Sequence, residues 1–409
     1  MKKVSKERVR RSRFQCLILL VVALSLLPLH SRAQTPADET EPNRPDNAKA
    51  SGAVKLSCFT EIGLEFNDNV FHLDGSQKRD LKRPDADEAN SGRFDDMDSA
   101  SDILISPRIG VKAKLPGFFA GCLGVTAWLQ YNAFVENDSA GYPEAKFSLE
   151  CSIGNKGRLS MDWEYIDGFF KKNYLSGVDD RNQNGNIPKE EQTYSAAVYD
   201  AYQGSIAYKY KIWDNKKNDI SGFSLKPFGG WYHRSYNALF GNRDKKIAFA
   251  GIETGLEIFS KFNLDITYQY DYVSTPGHEE LVLIDETASG IDVNDDGDIK
   301  HNAALTTPVD GSCHRHSISI SPSMKLTPKC SLFAAYTWRE SIYTTGNRLD
   351  VDHYDQTPAR ERMKAGVSYD FSKAWASELE IKRTVDDDDD DDGYTENKIQ
   401  MTLKYTGHL

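Results

Sequence analysis

The side chains best suited to chemistry lie in an oxygen-rich run: Asp180, Asn182, Asn184 and Asn186, with Gly185 at the sixth place and Glu191 at the twelfth. A calcium loop needs this order. Alternating oxygens converge on one ion, glycine permits the sharp turn, and the last carboxylate grips bidentately. A second run, Asp292, Asn294, Asp296 and Asp298 with Gly297, repeats the spacing, but Ala303 stands where the closing carboxylate belongs. Pro188 and the lack of amphipathic flanks exclude a helix–loop–helix unit. One such run would read as a solvated Asn/Asp/Gly loop. Two of them set the expectation of Ca2+, bound weakly at ~10⁻⁴–10⁻³ M, as extracellular modules bind it. The ion would neutralise clustered carboxylates and stiffen loops near a pore mouth. The Asp386–Asp392 run reads as a self-repelling, solvated hairpin tip.

Catalysis finds little footing. His233, His314 and His316 fall on or beside strand-like segments, and none stands in a motif with a nucleophile or carboxylate. No catalytic residue is assigned, and the chain is expected not to be an enzyme.

The elements that would carry these loops show a two-residue period. Val54, Leu56, Cys58, Ile62, Leu64 and Phe66 share one parity; Lys55, Ser57, Glu61, Gly63 and Glu65 share the other. The pattern returns along the chain to Ile399, Met401, Leu403 and Tyr405. Lipid on one face and water on the other produces such a strand. The wet rows carry charge of both signs: Glu61, Glu65, Arg108, Lys112, Asp162, Glu164, Lys209, Arg339, Arg362, Lys364 and Glu380 are expected to line a pore. They would act as an ion-pair network stiffening the wall, as a selectivity lining, or as both.

Connections sort by length. Tight turns at 115–117, 155–157, 260–262, 327–329 and 372–374 alternate with long loops at 67–102, 171–193, 274–312 and 344–360. A β-sandwich also alternates along its strands but does not sort its connections this way. Aromatics such as Trp213, Phe259, Phe371, Phe66 and Tyr272 gather at expected strand ends, as interfacial girdles do. The expectation is an all-β chain: a single transmembrane antiparallel β-barrel of about 14 strands with short periplasmic turns and long extracellular loops.

Residues 1–33 read as a signal peptide: a basic start, an apolar stretch from Phe14 to Leu29, and Ser31-Arg32-Ala33 as the cleavage site. Residues 34–52, rich in Pro, Asp, Glu and Asn, read as a disordered periplasmic lead-in, and 53–409 as the barrel. Removing 1–33, with its eight Lys/Arg and one Glu, takes the formal charge from −11 to −18. That excludes a nucleic-acid partner, which would need a basic footprint. The cysteines beyond the signal, Cys58, Cys122, Cys151, Cys313 and Cys330, are odd in number and lack paired spacing, so no disulfide framework is expected.

Phe66-Asn67-Asp68-Asn69-Val70-Phe71 resembles the aromatic-x-Asp-Asn-aliphatic-Phe segment of porin-like outer-membrane barrels, some of which accompany polysaccharide-export genes. The resemblance spans six residues and implies no catalytic group. It places the chain in the outer membrane of a Gram-negative-type bacterium, among outer-membrane lipids and lipopolysaccharide, with a homo-oligomer left open. The expected function is a channel for passive diffusion of small hydrophilic solutes. The alternative is a surface-binding or adhesin barrel with an occluded lumen, whose loops recognise a glycan or a partner.

Overall fold

Alternation becomes strands. The computed structural model describes residues 54–82, 94, 97–118, 121–176, 193–214, 220–259, 261–283, 304–346, 354, 356–387 and 393–408. The segments expected to be a signal peptide and a lead-in, and both oxygen-rich runs, lie outside the described residues. The strands are β1 (Lys55–Asn67), β2 (Asp102–Phe118), β3 (Gly121–Phe134), β4 (Tyr142–Ile153), β5 (Gly157–Ser176), β6 (Thr193–Asp214), β7 (Ile220–Tyr236) and β8 (Lys245–Ile258). They continue as β9 (Phe262–Ser274), β10 (His278–Leu283), β11 (Ala304–Val309), β12 (Cys313–Lys325), β13 (Cys330–Tyr343), β14 (Ala359–Asp370), β15 (Trp375–Asp387) and β16 (Tyr394–His408). Helix α1 (Gly75–Leu81) begins at Asp74, whose carboxylate accepts the N–H groups of Ser76 and Gln77.

Every barrel strand pairs antiparallel with its sequence neighbours, β9 pairs with β12, and β1 closes the wall against β16. That closure runs from Ser57 opposite His408 to Asn67 opposite Lys398. It yields the closed 14-stranded barrel that the sequence implies. β10 and β11 form a separate two-stranded sheet, so the segment read as a plain loop at 274–312 contains a hairpin. Pro116 does not turn the chain as expected. β2 runs through it to Phe118, with a register shift between Pro116 and Phe118, where a residue lacking an N–H is tolerated.

Directly opposed residues share a face, so parity propagates around the wall. Ile62, Leu64, Ile103, Met161, Trp231, Ile320, Leu379, Ile381 and Met401 are exposed on the outside. Phe259, Tyr369, Phe371 and Trp375 lie exposed near the rim where β1 begins and β16 ends. Trp213, beyond a register shift between Lys211 and Trp213, instead lines a cavity with Lys209 and Lys211. Among the described residues no helix is long and apolar enough to cross a membrane. A polypeptide without such a helix can span lipid only as a closed sheet that leaves no backbone edge unpaired.

The apolar core is not in the barrel's middle but at the rim where β1 ends and β16 begins. Phe71, Leu73, Phe94 and Met97, from the connection after β1, pack with Ala140 and Phe170. Phe71 meets Phe170 edge-on at 5.6 Å between ring centroids. The return of this connection is stapled to the β3–β4 turn. Asn137 accepts the N–H groups of Asp98 and Ser99, and Asp102 accepts those of Val135, Glu136 and Asn137. The first long loop is therefore seated against the mouth of the barrel.

Candidate functional site

The lumen wall carries the candidate chemistry, and cross-strand register decides which side chains reach it. Glu61 on β1 stands between Arg108 on β2 and Lys404 on β16. Its carboxylate takes the Arg108 guanidinium at 2.8 Å and pairs with Lys404. Lys398 bridges Glu65 at 3.2 Å and Glu396 at 3.1 Å. Lys226 meets Glu253 at 3.1 Å, Lys364 meets Glu380 at 3.4 Å, and Arg315 meets Asp271 at 3.3 Å. Lys146 lies 3.9 Å from Asp162 and 3.7 Å from Glu164. Apart from Lys398–Glu396, both on β16, each pair joins neighbouring strands, so long side chains lie flat along the wall instead of reaching across.

Phe59 shows the same habit in an apolar residue. It is almost fully buried on the inner face, with its ring over Gly110 and the ammonium groups of Lys112 and Lys404 5.1 and 5.2 Å from its centroid. Beside these residues lies a cavity of about 740 Å³, bordered by Glu61, Glu65, Arg108, Glu144, Glu378 and Lys398 and roofed by Val70 and His72.

That roof is held by the six-residue motif, and each residue has a task. Phe66 points outward and Asn67 donates to Glu396 at 2.9 Å. Asp68 takes the backbone N–H and the side-chain amide of Asn397, both at 2.6 Å. Asn69, with no exposed surface, donates to the carbonyls of Leu73 and Thr395 and accepts the Leu73 N–H. Val70 and Phe71 then enter the apolar seat.

His72 follows in the left-handed region, with φ 54°. Its ring stacks on Tyr394 at 4.4 Å. Lys171 donates to Nδ1 at 2.8 Å, so the Nε2–H faces Glu396 at 3.3 Å. Burial lowers its pKa to about 4 against the pull of Glu396, with the Lys171 charge adding to the drop. His72 is therefore neutral at pH 7.

The residues expected to line a pore carry the parity opposite the exposed apolar row. Glu61, Arg108 and Lys112 sit in the first rows, Asp162 and Glu164 face β4, and Lys209 opposes Arg158. Arg339, Arg362, Lys364 and Glu380 follow from the β13–β15 pairings. Sequence reading passed over His72, Glu144, Arg315, Arg360, Glu396, Lys398 and Lys404. For the strand residues the parity signal was present; for His72 no local signal exists. Asp386 departs from the solvated-tip reading, because it lies within β15 and pairs with Arg360.

His233, His314 and His316 share the outer face with Tyr202, Tyr272 and Tyr270, which oppose them. The Tyr270 and Tyr268 hydroxyls bond the His314 and His316 rings at 2.5 and 2.9 Å. Cys58, Cys151, Cys313 and Cys330 are free thiols. Asp180, Asn182, Asn184, Asn186, Glu191, Asp292, Asn294, Asp296 and Asp298 lie outside the described residues.

An apolar belt outside, charge inside and a wall with no open edge define an outer-membrane-type β-barrel. No family model matches this chain, and no curated protein does. Solved structures similar in arrangement include a loop-deletion form of OmpT, an outer membrane protein of Vibrio cholerae, at 12% identity and TM-score 0.39, covering 87% of this chain and 100% of that one. Acinetobacter baumannii OccAB3 matches at 9% identity and TM-score 0.40, covering 87% and 99%. Pseudomonas aeruginosa OprD matches at 10% identity and TM-score 0.37, covering 87% and 95%. Likeness this low adds nothing to what the strand pairing itself shows.

Proposed function

We propose that the chain is an outer-membrane channel for passive diffusion of small hydrophilic solutes, its long loops facing the cell exterior and braced by Ca2+. One observation carries this reading. The charged inner residues pair sideways between neighbouring strands, which leaves a polar cavity of about 740 Å³ within the lumen. A barrel of this strand number is too wide for side chains alone to fill. Reconstitution in a planar bilayer tests it, with discrete conductance steps as the expected result. A silent bilayer favours the second reading, a surface-binding barrel with an occluded lumen, which draws its support from the seating of Phe71 and Leu73 at the mouth.

Calcium is tested apart from conductance. The carboxylates of the two oxygen-rich runs repel one another without an ion, so chelation is expected to make the 171–196 and 274–312 segments protease-sensitive. Cleavage rates indifferent to chelator remove Ca2+ from the account.

A further inference from the structure

Three to five strands round the wall from β1, on β14, β13 and β12, register assembles a basic surface that its own carboxylates do not neutralise. One row crosses the strands as Gln269, Ser317, Arg339, Arg360 and Asp386; the next crosses as Thr267, Ser319, Thr337, Arg362 and Thr384. Arg339 therefore faces Arg360 directly, and like charges so placed repel. The nearby carboxylates are already engaged. Asp271 takes Arg315 at 3.3 Å and the Gln269 amide at 2.6 Å, and Asp386 takes Arg360. Among the described residues no carboxylate lies within ion-pairing distance of Arg339 or Arg362. The Nε atoms of Arg315 and Arg360 are buried without a hydrogen-bond partner. Between these side chains lies a cavity of about 220 Å³, lined by Arg339, Arg360, Arg362, Ser317 and Thr337 and by Asp271, whose carboxylate is held by Arg315.

We propose that Arg339 and Arg362 form a binding site for the oxyanion group, carboxylate or phosphate, of a small solute crossing the lumen, with Ser317, Thr337 and Gln269 as neutral donors. Guanidinium forks match such oxygens two at a time, and a negative group between Arg339 and Arg360 removes the repulsion that the wall otherwise bears. The hydroxyls suit the remaining oxygens. A soluble anion fits better than a lipid headgroup, because the inward parity that carries both arginines faces away from the acyl chains. The site rests on the channel reading and sharpens it: negatively charged solutes are favoured over neutral or cationic ones of equal size.

The experiment uses the full mature chain in planar bilayers. Reversal potential is measured in a KCl gradient, and current is recorded while inorganic phosphate or succinate is added. The wild type is expected to prefer chloride and to show saturable block. R362Q and R339Q/R362Q are expected to weaken that block at least tenfold and to move the reversal potential towards cation preference, whereas K329Q, in the turn between β12 and β13, leaves both unchanged. Block by phosphate alone or succinate alone supports the site and names which oxyanion it takes. A conducting wild type whose block and reversal potential ignore R339Q/R362Q overturns the site and spares the channel. Absence of all current overturns the channel reading instead. The site is then read by calorimetric titration of phosphate into detergent-solubilised protein, where heats that do not differ between wild type and double variant overturn it. The shift of the folded barrel on unheated gels confirms that each variant has assembled.

Discussion

Asn69 concentrates into one amide what holds the first loop to the barrel. It satisfies the Leu73 N–H, the Leu73 carbonyl and the Thr395 carbonyl, and the last lies 326 residues away in sequence. Asn69→Ala leaves these groups without partners, at about 1–3 kcal/mol for each that stays buried. The loop is expected to leave its seat while the barrel holds, so trypsin should cut at Lys78, Arg79 and Lys82 several-fold faster with no change in the heat-modified gel shift. Unaltered cleavage would refute the clasp.

His72 makes the same loop respond to pH. The seated ring has a pKa of about 4, whereas a released ring has its ordinary value near 6.5, so release takes up a proton. Seating is complete above pH 6.5 and is lost progressively as pH falls towards 4. Trypsin's activity and thiol labelling rates both change across that range, so the emission of an environment-sensitive dye attached beforehand to a Ser76→Cys variant is the suitable readout. His72→Gln is expected to flatten the profile. The six-residue motif was visible in sequence, but its purpose was not: Asp68 and Asn69 work on Asn397 and Thr395, and no local pattern announces partners so distant.

At the scale of elements, the strands were legible wherever one parity stays intact and obscure wherever it breaks. The ends of β5 and β6 show this. Loop lengths in the sequence put a loop at 171–193, yet pairing continues there from Lys172 opposite Ala197 to Ser176 opposite Thr193. Register shifts between Ile166 and Phe169 and between Phe170 and Lys172 flip the apolar residues from one face to the other. Gly168 sits at the first shift with φ 65°, a conformation few other residues accept. The shifts turn Phe170 into the loop's seat, so lost alternation is the structural cost of packing that loop. The β10–β11 hairpin stayed hidden because its strands are short and flank a long Asp- and Gly-rich run. Wall curvature also depends on an element-scale fit. A Cβ on Gly110 would stand 2.3 Å from the Phe59 ring and 2.8 Å from the Ala127 carbonyl. Gly110→Ala must displace the ring or the strand, at about 1–3 kcal/mol by the usual cost of overpacking. A lower urea midpoint for the folded barrel is the expected result, and Phe59→Leu/Gly110→Ala should recover part of it. A midpoint equal to wild type would show that the ring is not held against the glycine.

For the whole molecule, the decisive partition is between faces, and formal charge hides it. A chain at −11 with 27% charged residues reads as a soluble protein until its parity is followed. The wall then sorts nearly every Lys, Arg, Asp and Glu of the strands inward and leaves an apolar exterior. That partition was the most legible property of the sequence, because a two-residue period survives without any knowledge of partners. The seat of the first loop and the unmatched arginines were not legible, because each depends on strands brought together only by closure. If lipid covers the exterior, residues on opposite faces of adjoining strands should respond oppositely to the same charge. Ile62 points outward midway along β1, while Gln400 points inward on the adjoining strand. Ile62→Arg is expected to cost about 2–4 kcal/mol in equilibrium folding into lipid vesicles, the penalty for arginine at the bilayer midplane. Gln400→Arg enters a wet wall beside Glu65 and Glu380 and should change folding by less than about 1 kcal/mol, as a screened surface pair does. Equal costs at the two positions would mean that both faces meet the same solvent, and no barrel in a membrane could produce that result.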